Sequence, residues 1–196
     1  MSERRENDNY QTPAWCVDAL LRNVVGLSTA RDILEPCAGN GAILREMEGR
    51  WCMRGSRFTS VEIREEEHEP LSLLADEVHI ADFLTWKPTG KYDLILTNPP
   101  YCIALEVAKK CLSLAGPDTT VALLLRLGFL QAQERIPFWQ AHPLSGLYVL
   151  GARPSFTGDS GRDNSGYGWF IWRGTQAPLY QEIQVIDSPT RPRKKR

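Results

Sequence analysis

The 196 residues predict an α/β domain with a mainly parallel sheet and helices on both faces. Three observations carry this. Short apolar segments alternate with helical patterns along most of the chain. Glycine- or proline-rich loops follow several of the apolar segments. One run, Thr120 to Leu125, is almost continuously apolar, as a strand buried on both faces must be.

Taken in order, residues 1–9 are polar and read as a flexible N-terminus. Thr12-Pro13 opens a helix that runs to about Val25. Asp32 to Pro36 is a strand ended by proline, Cys37 to Gly41 a small-residue loop, and Ala42 to Glu48 a helix. Phe58 to Ile63 is the second strand. Glu65 to Ala75 suits a helix interrupted by Pro70, with Glu65-Glu66-Glu67 as its solvated start. Glu77 to Ala81 and Tyr92 to Thr97 are strands, and Ala104 to Ala115 is an amphipathic helix stopped by Gly116-Pro117-Asp118. After the buried strand, residues 131–142 read as a helix. Leu147 to Leu150 and Tyr167 to Trp172 are strands separated by a long polar loop. Trp169 and Trp172 read as strand packing. Residues 10–187 form a single domain on this reading, and 188–196 a basic, disordered tail.

Composition narrows the function classes. Apolar residues make up 42% and charged residues 24%, with a net charge of -1, which excludes a disordered polyelectrolyte. Five of the positive charges lie in the last six residues, so the rest of the chain is acidic and is not a general nucleic-acid-binding surface. Five cysteines at irregular spacing without a C-x-x-C pair argue against a disulfide framework or zinc knuckle and favour a reducing, cytoplasmic setting. Three scattered histidines make a histidine metal centre improbable. No apolar run is long enough to span a bilayer, and the N-terminus has no signal-peptide core. Gly158-Asp159-Ser160-Gly161 imitates a serine-protease signature by coincidence, since no matching His/Asp arrangement accompanies it.

Two segments carry chemistry. E-P-C-A-G-N-G, residues 35–41, lies between a strand and a helix, and Gly39 and Gly41 let the backbone turn tightly against a ligand. Glu62 follows about 20 residues later at the end of the next strand, where an acid can hold a ribose diol. Leu44 stands where a dinucleotide fingerprint needs its third glycine, so the pattern fits a mononucleoside better. Asp82 closes the third strand and can accept from an adenine amine, with Phe83 covering the ring. T-N-P-P-Y, residues 97–101, follows the best strand. Pro99 and Pro100 fix the backbone. The Asn98 side-chain carbonyl and the Pro99 main-chain carbonyl form two fixed acceptors, suited to an NH2 group, and Tyr101 offers a stacking face.

These segments resemble the S-adenosylmethionine-dependent amino-methyltransferases of the DNA adenine-N6 type. N-P-P-Y at 98–101 matches that family's catalytic motif, residues 35–41 its cofactor loop, and Tyr10-Gln11-Thr12-Pro13 its Y-x-T-P segment. The resemblance covers residues 10 to about 172. It implies a Rossmann-like class I methyltransferase fold with a seven-stranded, mainly parallel sheet and a final antiparallel strand. It implies that S-adenosylmethionine is the cofactor. Tyr10, Thr12 and Pro13 would flank its methionine end, and Glu35, Cys37, Ala38, Gly39 and Gly41 would form its loop. Glu62 would take the ribose hydroxyls, Ile63 would lie on the adenine, and Asp82 would bind the amine with Phe83 beside it. Asn98, Pro99, Pro100 and Tyr101 would act on the target base, flipped out of duplex DNA, with Phe156 sandwiching it. No metal is implied. Arg162 and the tail would touch phosphates. N-P-P-Y also occurs in enzymes acting on RNA adenine or protein glutamine, and an inactive cofactor-binding subunit is a third reading. Only 24 residues follow Trp172, so a minimal form without its own target-recognition domain is expected, with specificity coming from its loops or a separate protein.

Overall fold

The computed structural model describes residues 11–50, 53–156, 165–174 and 181–186. Thirteen α and β elements among them form one eight-stranded sheet with helices on both faces. They are α1 (Ala14–Asn23), β1 (Asp32–Pro36), α2 (Ala42–Glu48), β2 (Arg57–Glu62), α3 (His68–Ser72), β3 (Glu77–Ile80) and β4 (Leu94–Thr97). There follow α4 (Ala104–Leu114), β5 (Thr120–Arg126), α5 (Ile136–Ala141), β6 (Gly146–Leu150), β7 (Tyr167–Arg173) and β8 (Glu182–Ile186).

The spatial order is β3-β2-β1-β4-β5-β7-β6-β8. The strands from β1 to β5 pair in parallel, and β7 inserts antiparallel between β5 and β6. The order reverses between β1 and β4. A crevice opens beyond the carboxyl ends of strands at such a reversal, and β1 and β4 carry the two motif segments there.

The sheet alternation sorts the core into two layers. Leu94, Leu96, Ala122, Leu124, Trp169 and Ile171 face α1 and α2. Ile95, Val121, Leu123, Leu125, Phe170 and Trp172 face α4 and α5. Trp169 is fully buried and donates its indole N–H to the Cys16 carbonyl of α1 at 2.8 Å. Both tryptophans are therefore strand packing, as expected. Asp18 of α1 is held by Arg22 and by Arg50, which also pairs with Glu46 of α2, tying the two helices together.

Three expectations are corrected. The helix over 65–75 is a single tight turn, Glu65–Glu67, followed by the short α3, because Pro70 is tolerated only in a first turn. Glu67 there is not simply solvated; it pairs with Arg64 at 2.9 Å. The helix over 131–142 shrinks to α5, with Pro137 in its first turn and isolated turns before it. The sheet has eight strands rather than seven. The added β8 runs parallel to β6 at the sheet edge. Its Ile183 and Val185 are exposed and only Ile186 is buried, so it lacks the signature of a packed strand. Residues 1–9, the loop at 157–164 and the tail at 188–196 lie outside the described residues, as does the Gly158–Gly161 segment.

Candidate active site

The glycine loop leaves β1 through three left-handed residues, Cys37 (φ 59°), Gly39 (φ 57°) and Gly41 (φ 76°). At Gly41 a side chain would be strained by the left-handed backbone and would also press on Leu74 Cδ1 at 2.7 Å and on Leu71 of α3 at 3.1 Å, which favours glycine where α2 starts. Cys37 takes the same conformation with a Cβ, which costs about 1–2 kcal/mol. The loop is pinned to β2 by the Ala38 N–H on the Val61 carbonyl at 3.0 Å and the Gly39 N–H on Glu62 Oε2 at 2.7 Å.

Glu62 is buried, and its second oxygen accepts from both the backbone N–H and the Nε of Arg64 at 3.1 and 2.9 Å. A carboxylate has about four acceptor positions. A diol donating to Glu62 would have to share it with Gly39 and displace or join Arg64. Glu62 lies in a cleft of about 650 Å³, counting its open mouth, which also takes in Cys37, Ile63, Asp82, Phe83, Asn98 and Pro100. Ile63 is largely exposed on its rim. Asp82 is exposed and caps the Leu84 N–H at 2.9 Å, while Phe83 is buried in the wall. Lys110 of α4 donates to the Leu84 carbonyl at 3.0 Å and to that of Trp86, and its ammonium sits 5.5 Å from the Phe83 centroid. It holds this wall in place.

A smaller recess adjoins the cleft, lined by Thr12, Glu35, Cys37, Ala38, Gly39 and Asn98 among others. Glu35 is buried at 2% exposure, and its Oε2 has no hydrogen-bond partner. Burial drives its pKa well above the usual carboxylate range and the charge of Glu62 adds to this, against a hydrogen bond with the Leu44 backbone. An unpaired buried carboxyl at a recess is a receptor for a cation such as an ammonium group. Burial also pushes the Cys37 thiol up to about 12, helped by the charges of Glu62, Glu35 and Asp82.

Asn98 lines both the cleft and the recess. Its Nδ2 donates to Thr12 Oγ1 at 3.1 Å, which directs Oδ1 the other way, and Oδ1 accepts the Tyr101 hydroxyl at 3.3 Å. Pro99 is buried, and the Pro100 carbonyl accepts from Ile103 to start the turn into α4. Tyr101 meets Phe156 edge-on at 6.4 Å and Tyr167 at 5.8 Å. Arg126, at the end of β5, covers a Tyr101 face at 4.4 Å and donates to the Tyr167 hydroxyl at 2.9 Å.

The fold thus gathers Thr12, Glu35, Cys37, Ala38, Gly39, Glu62, Ile63, Asp82, Phe83, Asn98 and Pro100 around two joined cavities. Gly41 acts one step back, at the helix start. Pro13 and Phe156 line a neighbouring open groove. Tyr10 and Arg162 lie outside the described residues. Sequence reading missed Arg64, Lys110 and Arg126. Only Arg126 left a signal, as a lone charge inside the apolar run Val121 to Leu130. Among the described residues no cluster of His, Cys, Asp and Glu could hold a metal, and no helix is long and apolar enough to cross a membrane.

No protein-family model matches the chain. It is 42% identical over 96 residues to the Type II methyltransferase M.TthHB8I of Thermus thermophilus, covering 46% of this chain and 21% of that protein. It is 28% identical over 158 residues to the Type II methyltransferase M.CvrRI of Paramecium bursaria Chlorella virus XZ-6E, covering 69% and 40%. A tRNA1(Val) (adenine(37)-N6)-methyltransferase of Glaesserella parasuis is 33% identical over 90 residues, covering 42% and 37%. The chain therefore spans between a fifth and two-fifths of the length of these curated relatives. The crystal structure of a candidate class I S-adenosylmethionine-dependent methyltransferase from Listeria monocytogenes superposes with a TM-score of 0.67 at 13% identity, covering 93% of this chain and 67% of that one. The strand order, the two motif segments at its switch point and these likenesses converge: the chain is a domain of the class I S-adenosylmethionine-dependent methyltransferase fold, akin in sequence to Type II methyltransferases.

Proposed function

We propose that this domain methylates the exocyclic N6 amine of adenine in DNA, with S-adenosylmethionine as donor. The observation that carries the reading is the position of Asn98, shared by the cleft and the recess and next to Tyr101. The residues present suit the cofactor. Glu35 Oε2 is an unpaired acceptor for an ammonium group, Glu62 an acceptor for a diol, and Asp82 with Ile63 and Phe83 a seat for adenine. S-adenosylmethionine, when bound, supplies an electrophilic methyl group on a sulfonium.

The chain's own residues supply the rest. Asn98 Oδ1 and the Pro99 carbonyl accept the two N–H bonds of the target amine and favour the pyramidal nitrogen whose lone pair attacks. Two fixed prolines hold these acceptors in line, which is the proximity contribution. Tyr101 stacks on the base, with Phe156 at its edge, and a duplex base must be flipped out to arrive there. The two Type II methyltransferase relatives support DNA over other substrates. In this reading sequence selectivity comes from the chain's own loops and tail or from a separate specificity protein, and the enzyme works in the cytoplasm. The tRNA methyltransferase likeness favours a second reading, adenine N6 in RNA. Labelled S-adenosylmethionine offered with DNA, RNA and a glutamine-bearing protein in parallel tests both. Label in DNA, recovered as N6-methyladenine, is expected; label confined to RNA or protein overturns the DNA reading.

A further inference from the structure

Arg126 lies where the target base of the proposed reaction must go. It is the last residue of β5, and Thr97 pairs with Leu123, so β5 runs three residues past the end of β4 and alongside the T-N-P-P-Y turn. Its guanidinium carbon lies 4.4 Å from the Tyr101 centroid. That is van der Waals contact, so no second plane fits between them. The Nε–H donates to the Tyr167 hydroxyl, whose residue pairs with Arg126 across β5 and β7. Phe156 meets Tyr101 edge-on and Tyr167 lies inclined against it. The Tyr101 hydroxyl meanwhile occupies Asn98 Oδ1. Both groups that the reading assigns to a target base, a stacking face and an amide oxygen, are thus engaged by the protein itself.

A guanidinium is flat, delocalised and weakly hydrated, so it stacks on an aromatic face as a planar heterocycle does. We propose that Arg126 stands in for the target base on Tyr101 and leaves it when adenine enters, so that base entry is an exchange of one stacked plane for another. This rests on the adenine reading of the site. The exchange makes the pocket selective. A base gains only the difference between its own stacking and hydrogen bonding and those of Arg126. A base that cannot also use Asn98 does not displace it. Losing the exchange cost should tighten base binding roughly two- to thirtyfold.

The test uses the full chain saturated with S-adenosylhomocysteine, so that the nucleoside cleft is filled. Adenosine is the probe, because it carries no phosphate for an arginine to attract. Calorimetry compares wild type with R126A and with R126M, which keeps the stem but has no plane to stack. Tighter adenosine binding in both variants, lost again when either is combined with Y101A, supports the exchange. Equal or weaker binding in variants that melt as wild type does overturns it, because an arginine that only braces the pocket cannot improve binding when removed. The same preparation is assayed for methyl transfer to DNA. Transfer by wild type without tighter binding in the variants overturns the Arg126 assignment alone. Absence of transfer to any adenine polymer, with no adenosine bound, overturns the adenine reading and the exchange with it.

Discussion

The hydroxyl of Tyr101 donates to Asn98 Oδ1 across 3.3 Å, closing on the oxygen that the proposed reaction needs as an acceptor. The ring and the hydroxyl of Tyr101 therefore act in opposite senses. Tyr101→Phe keeps the stack and removes this one bond to the oxygen, so its KM for nucleic acid should stay equal or fall. Tyr101→Ala should lose about 1–3 kcal/mol of stacking, roughly ten- to a hundredfold in KM. Asn98→Ala should lower kcat by about 10²–10³ while still binding S-adenosylmethionine. Steady-state kinetics decides, and a Phe variant as weak as the Ala variant would show that the hydroxyl itself holds substrate.

Glu35 sets stability against binding. Burial, with the charge of Glu62, holds its pKa above the ordinary value, so the folded chain keeps a proton that the unfolded chain releases. Stability must then fall as pH rises from the ordinary carboxylate range toward the raised value. Glu35→Gln removes that dependence. Its melting temperature should exceed that of wild type, with the gap widening from pH 5 to pH 8. The same variant should lose affinity for S-adenosylmethionine, and wild-type affinity should rise with pH as Glu35 ionises. Melting curves and calorimetry at the two pH values read both effects.

Cys37 combines a left-handed backbone with a thiol pushed up to about 12. Cys37→Gly should stabilise the fold by up to about 1–2 kcal/mol, less what the added freedom of the unfolded chain takes back. The thiol should also resist alkylation, because the thiolate is the nucleophile. Iodoacetamide followed by mass spectrometry at pH 8 should label exposed Cys102 well before Cys37. Faster labelling at Cys37 would contradict the inferred burial.

Asp18 illustrates the opposite shift. Burial alone would raise its pKa, but hydrogen bonds and charge from Arg22 and Arg50 outweigh it, and the net direction is down. Its stabilising contribution is therefore present above the unfolded carboxylate value and is lost as pH falls through the lower folded one. Asp18→Asn should cost about 1–3 kcal/mol at pH 7, with the difference from wild type vanishing in acid. Urea unfolding along a pH series measures it.

Lys110 should matter to the cofactor alone. Its ammonium bridges two carbonyls of the wall that carries Asp82 and Phe83. Lys110→Met keeps the stem and drops both bonds. The expected result is a several-fold higher KM for S-adenosylmethionine with kcat and nucleic-acid KM little changed; a fall in kcat alone would remove Lys110 from this role.

Much of this was legible in the chain because local rules and the final structure agree. Strand β1 keeps its expected bounds, since proline ends it, and α2 starts where Gly41 permits. The strand-end acids and the T-N-P-P-Y turn announce themselves by type and spacing. Arg64 and Arg126 do not: Arg64 pairs with its near neighbours Glu62 and Glu67, as many surface arginines beside acids would, and the partner of Arg126 is chosen by the tertiary fold. Arg126 reaches Tyr167 across 41 residues, a pairing that no local pattern encodes. Strand β8 escaped for a different reason. It buries one residue out of five, so its sequence is shaped little by the core.

The indole bond from Trp169 to Cys16 spans 153 residues. At synthesis rates of about 5–20 residues per second, helix α1 waits roughly 10–30 s for the strand that anchors it. Thr12, which steers the Asn98 amide, is carried next to that helix. Contacts this distant close late and slowly during folding. The bond that seats α1, the helix next to the Thr12 that steers Asn98, is therefore among the last that a nascent chain can close.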